Sequence, residues 1–165
     1  AKSAALADRF QADLQGQLQA AMKVGGPVGA IGVCQQAAPA IAASLSQESG
    51  AEVRRIALKE RNPGAAPDGE LRERLEQLAA APLSADGKPA VMQWTSGSGA
   101  GARAHFMRAI PMKEQPCAAC HGTEIAPNVR AKLDELYPAD KATGFKPGDL
   151  RGAIAVSWPL ASAAQ

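Results

Sequence analysis

The stretch Pro116-Cys117-Ala118-Ala119-Cys120-His121 decides how the rest of the chain is read. It holds Cys-x-x-Cys-His, the attachment pattern of a covalently bound c-type haem. The chemistry needs that spacing: two thiols add across the porphyrin's two vinyl groups, and the adjacent histidine turns a ring nitrogen onto the iron. Two plainer readings compete. A disulfide or redox Cys-x-x-Cys would leave His121 incidental. A zinc site needs four ligands, and no second Cys/His pair completes them. The specificity of the motif favours one covalent haem c, with Cys117 and Cys120 as its attachment points and His121 as an axial iron ligand.

Composition fits a fold built around such a group. At 165 residues the chain is about one domain, read as a single unit over 1–165 and long enough for a real core. Aromatic residues make up only 4% of it, and a haem would add a large apolar disc. The formal charge is +2 without haem. Two ionised propionates would bring the holoprotein near neutral, so nothing points to a nucleic-acid partner. No apolar run approaches membrane-span length, and no signal peptide opens the chain. The start Ala1-Lys2-Ser3-Ala4 is compatible with a processed N-terminus. Covalent haem attachment normally takes place outside the bacterial cytoplasm. The expected location is therefore periplasmic, with a signal already removed.

Working outward from the motif, an α+β arrangement emerges. Within an N-terminal segment 1–25, residues 4–23 carry Leu6, Phe10, Leu14, Leu18 and Met22 every four positions, an amphipathic helix. Its stripe packs either on its own domain or on a second copy or partner helix. Gly25-Gly26-Pro27 stops it. A second helix over 28–48 places Val28, Ile31, Cys34, Ala38, Ile41 and Leu45 on one face, with Pro39 expected to bend or interrupt it. Residues 51–60 look extended, 61–67 form a Pro/Gly loop, and Asp68 opens a short helix through Leu71, Leu75 and Leu78. Val91 to Thr95 and Ala102 to Ile110 read as two strands joined by a Gly/Ser loop. Val129 to Tyr137 is a further helix. Ile154, Val156, Trp158 and Leu160 alternate with Ala155, Ser157 and Pro159 as a last strand.

The second axial ligand is open on residues alone. Met22, Met92, Met107 and Met112 are each readable as adaptable core filling. His105 sits in a strand and reads as a structural hydrogen-bonding residue. Cys34 is left over once two of the three cysteines go to haem. A buried free cysteine behaves as a small hydrophobe. Against that, a metal ion deprotonates a nearby thiol outright.

Several further motifs carry a resemblance. Ala30 to Cys34 is followed by Ala38-Pro39-Ala40-Ile41-Ala42, Arg61-Asn62-Pro63, Pro67-Asp68, the Cys117–His121 motif, Tyr137 to Gly144 and Gly148 to Gly152. In that order they resemble the c-type haem sensor family with a PAS-like fold, over nearly the whole chain. Two positions depart from the pattern, Ala65 and Gly69, in the loop before the short helix. The resemblance implies a PAS-like antiparallel sheet with N-terminal helices, and a six-coordinate haem with His121 proximal and Cys34 distal.

Such a pair implies a low reduction potential, because thiolate favours ferric iron. It also implies a Cys34 that leaves on reduction and opens a site for CO or NO. The expected role is a non-enzymatic redox or diatomic-gas sensor, alone or with a protein partner. A low-potential periplasmic electron carrier is the alternative. An enzyme reading finds no acid/base cluster to support it. Arg54, Arg55, Arg61 and Arg108 are candidate propionate partners, Arg61 foremost because it opens the Arg-Asn-Pro motif. Tyr137 and Trp94 are candidate porphyrin contacts.

Overall fold

The computed structural model describes residues 1–82 and 84–160. Residue 83 and residues 161–165, the end of the expected 1–165 unit, lie outside the described residues. The chain opens with α1, Lys2–Ser49, whose backbone leaves helical geometry once, at Gly26 with φ 60° and ψ −162°. That conformation is essentially reserved for glycine. It folds α1 into a hairpin of two arms, 2–25 and 27–49. Arg9 of the first arm meets Glu48 of the second at 2.9 Å. Leu6, Ala7 and Phe10 pack against Ala37, Ile41 and Leu45. The break falls inside the Gly25-Gly26-Pro27 stop. Pro39 does not break the second arm: Gly26 alone departs from helical torsions. Proline costs one backbone bond and crowds the preceding turn, and here the helix absorbs both.

Gly50 ends α1 in a left-handed conformation, its N–H returning to Ser46 O at 3.0 Å. Ser46 Oγ accepts from Val53 N at 2.9 Å, and Ser49 Oγ accepts from Ala51 N at 3.1 Å. The second arm is thereby tied directly to β1, Glu52–Ile56. The main sheet is antiparallel with order β1-β6-β5-β4, where β4 is Val91–Ser96, β5 Arg103–Pro111 and β6 Leu150–Pro159. A small hairpin of β2, Ser84–Ala85, and β3, Lys88–Pro89, stands beside it.

The last strand in sequence lies inside the sheet, between β1 and β5. This explains its alternation of large and small residues. Ile154 and Val156 enter the core under the α1 hairpin. Ala153 and Ala155 face the other way, toward Leu75 and Leu78 of α2, Gly69–Ala79. Small residues on that side let α2 approach the strand closely. The remaining helices, α3 (Ala118–His121) and α4 (Pro127–Leu136), follow β5 in the chain. Val129 and Leu133 of α4 pack on Ile31 of the second arm.

One expectation needs correction. By length and composition α1 is apolar enough to cross a membrane. In the bare sequence this is hidden, because the apolar residues are spread along two arms among Gly, Ala and Gln. In the fold the apolar side of the hairpin is spent on the sheet and on a cavity.

Candidate cofactor site

The hairpin does not close onto the sheet along its whole length. Between its arms, β1 and the α3 segment lies a cavity of about 530 Å³. The first arm lends Phe10, Leu14, Leu18 and Met22, so its stripe faces its own domain. The second arm lends Ile31, Cys34 and Pro39, and β1 lends Val53 and Arg55. Cys117, Cys120 and His121 stand on the same wall system, with Arg61, Tyr137 and Arg151. A mostly apolar cleft of this size with a few polar groups is the usual form of a small-molecule or cofactor site.

His121 is held through both its ring and its backbone. Its Nδ1 meets Ala142 O at 2.8 Å. A carbonyl only accepts, so Nδ1 carries the proton and Nε2 presents a bare lone pair, the form an axial ligand needs. Burial pushes the imidazole well below its ordinary pKa, with Arg151 and Arg61 adding repulsion. The ring stands edge-on to Phe145, 6.4 Å between centroids. Its backbone is pinned too: Phe145 N donates to His121 O and Gly144 N to Gly122 O, each at 2.9 Å. The segment 140–145 thus runs alongside the motif and fixes it.

Arg61 and Asp140 hold that segment. Asp140 takes Arg61 Nε at 3.1 Å and Nη2 at 3.2 Å, with the two side chains only 10% and 6% exposed. Asp140 also accepts from Ala142 N at 2.9 Å. Arg61 Nη2 reaches Ala142 O at 3.1 Å and the carbonyl of Cys120. Arg61 therefore braces both the attachment motif and the carbonyl that sets the His121 tautomer.

Cys34 lies on the second arm, partly buried and unpaired with another cysteine. Burial raises its thiol, the field of Cys120 raises it further, and Arg61 acts the other way. Its neighbour Gln35 donates to Leu136 O at 3.2 Å, which locks the arm to the end of α4. Tyr137 follows there, pushed up to about 12 chiefly by burial. Among the described residues no three His, Cys, Asp or Glu side chains converge tightly enough for one ion. Cys34 and His121 both border the cavity.

A family model described as Tll0287-like matches residues 1–159. The chain belongs to the Tll0287-like family. Its structure is similar to the crystal structure of the cyanobacterial heme-protein Tll0287, with 29% identity and a TM-score of 0.70, over 96% of this chain and 92% of that one. No curated protein matches.

Most of the other expected site residues in this Tll0287-like chain lie elsewhere. His105 meets Ser96 Oγ and Ser157 Oγ, each at 2.7 Å, and stacks on Trp94 at 4.8 Å. Trp94, Met92 and Met107 belong to the cluster under α2, on the far side of the sheet. Met112 packs with Ala142 and Phe145. Met22 does border the cavity. Arg108 pairs with Asp8 and Gln11 of the first arm. Arg54 borders the cavity as well, and its Nη2 reaches Ala66 O at 3.5 Å. Sequence reasoning missed Arg151, Asp140, Ala142 and Phe145. The Tyr137–Gly144 and Gly148–Gly152 motifs contain three of them, but those motifs carry the resemblance without pointing to individual side chains.

Proposed function

We propose that this chain is an exported, periplasmic c-type haem protein that senses redox state or a diatomic gas. One haem is joined to Cys117 and Cys120, with His121 and Cys34 as axial ligands, in a PAS-like arrangement of antiparallel sheet and helices. The observation that carries the reading is His121 with Nδ1 committed to Ala142 O and Nε2 free, on a cavity that Cys34 and both motif cysteines also line. Similarity to a haem protein over nearly the full chain supports the cofactor.

The wall fits the group. It is apolar over the two arms, and it contains a buried guanidinium atom, Arg151 Nε, without a partner among the described residues. A bound haem supplies a one-electron couple and a coordination position for a diatomic molecule. The chain supplies the rest. His121 is pre-oriented, so it holds its position whatever the second ligand does. Cys34 has two stable forms. As a ligand it is a thiolate; released, it is a thiol that keeps its proton, because burial raises its pKa. Its arm is coupled to β1 through Ser46 and to α4 through Gln35. Release of Cys34 is therefore a local event on an element with connections at both ends, as a two-state switch requires.

Optical and EPR spectra of ferric and dithionite-reduced protein, with and without CO, test this beside Cys34→Ala. The expected result is a low-spin ferric thiolate signature absent from the variant, with CO binding after reduction. A pyridine haemochrome spectrum checks the covalent linkage. Spectra indifferent to the substitution would hand the second position to Met22 or water and favour the low-potential electron carrier.

A further inference from the structure

We infer that Arg55 and Arg151 form a two-guanidinium clamp for the carboxylates of the bound haem, set into the sheet wall of the cavity. The inference deepens the haem reading and rests on it. Its basis is a charge imbalance. Three buried or partly buried guanidiniums, Arg55, Arg61 and Arg151, lie within each other's fields beside His121. One carboxylate, Asp140, stands among them, and it is bound edge-on by Arg61. Among the described residues neither Arg55 nor Arg151 makes an ion pair.

Their hydrogen bonds leave the same gap. Arg151 offers Nη1 to Lys59 O at a long 3.4 Å, and its Nε is buried without any acceptor. Its planar group rests over the Phe145 ring at 5.4 Å. Arg55 uses Nη1 on the carbonyls of Ile56 and Ala153. A Cβ at position 152 would collide with Arg55 Nη1 and Ile56 O, so glycine there makes room for the Arg55 head. Burial pushes Arg55 down to about 10 and lowers Arg151 strongly, as expected of cations withdrawn from water without a counterion.

Two uncompensated cations on one apolar cavity call for an apolar ligand bearing two anionic groups. Haem carries two propionates, and the guanidinium fork matches a carboxylate. Arg61, the arginine that the sequence favours for this task, is occupied by Asp140.

Arg151→Gln, Arg151→Lys and Arg55→Gln, prepared as holoproteins beside the native chain, test the clamp. Pyridine haemochrome spectra come first: a native protein without haem c would sink the haem reading itself. Resonance Raman then reads the propionate bending modes, and potentiometry the midpoint. Removing a cation beside the haem disfavours the reduced form, so both Gln variants should shift the propionate modes and lower the midpoint. Arg151→Lys keeps the charge and should recover the midpoint while leaving the propionate mode shifted. Native-like modes and midpoints in both Gln variants would overturn the clamp. If the Gln variants fail to accumulate, an unshifted propionate mode in Arg151→Lys would overturn it equally.

Discussion

At the scale of single residues, the site depends on groups that hold the ligands as much as on the ligands. Asp140 neutralises Arg61 and caps Ala142, whose carbonyl fixes the His121 proton. Removing one member of a buried ion pair leaves the other charge uncompensated, at a cost of about 3–5 kcal/mol. Asp140→Asn should therefore lower the unfolding free energy by that amount and release the His121 ring, while Lys141→Ala, which removes an exposed ammonium paired with Glu60 at 2.9 Å, should cost under about 1 kcal/mol. Equal losses in urea titrations of the two variants would refute the special place given to Asp140. The sequence displays Cys117, Cys120, His121 and Cys34 as letters with unusual chemistry, so they are legible. Ala142 is not, because its contribution is a backbone oxygen. Asp140 and Arg61 are both visible, but their pairing spans 79 positions and is created only by the fold.

At the scale of elements, the helical hairpin was readable and its internal mechanics were not. A four-residue periodicity and a second one at spacings of three and four, separated by Gly25-Gly26-Pro27, announce two helices and a stop. Alternation of large and small residues marks β6, although its interior position follows only from pairing with β1 and β5. Pro39 misleads, because local preference against an interior proline is overridden by packing on both sides of the second arm. The turn itself rests on one torsion. At Gly26 an added Cβ would meet nothing within 4 Å, so space is not at issue. The cost of Gly26→Ala is purely conformational, about 1–3 kcal/mol for a backbone region that L side chains avoid. The expected outcome is a lower thermal midpoint with an unchanged ferric spectrum, since Cys34 and His121 lie on elements fixed elsewhere. A changed iron ligation in Gly26→Ala would mean that the turn positions Cys34, against the account given by Gln35 and Ser46.

At the scale of the whole molecule, the fold is arranged around a space that its own side chains do not fill. A closed, dry void of about 530 Å³ would cost about 13 kcal/mol at about 24 cal/mol per Å³, and this cavity is partly open to solvent. An ordinary domain has only about 5–15 kcal/mol of stability in total. Without its occupant the molecule must therefore collapse or hydrate the space, and the elements around it differ in how well they can resist. The sheet is secured on its far side by Leu75, Leu78 and Met107. The second arm is tied to β1 and α4 by side-chain bonds. The first arm is anchored at its beginning by Leu6, Phe10 and the Ser3–Trp158 bond, but Leu18 and Met22 border the cavity. A Cys117→Ala/Cys120→Ala double variant, expected to lack covalent haem, should thus lose amide-exchange protection first over about residues 14–25, with the β5–β6 pair still protected. Expected alongside is a lower, broader thermal transition than that of the native holoprotein. Uniform protection along both arms in the variant would show that the hairpin is self-supporting and that the cavity occupant adds chemistry without adding structure.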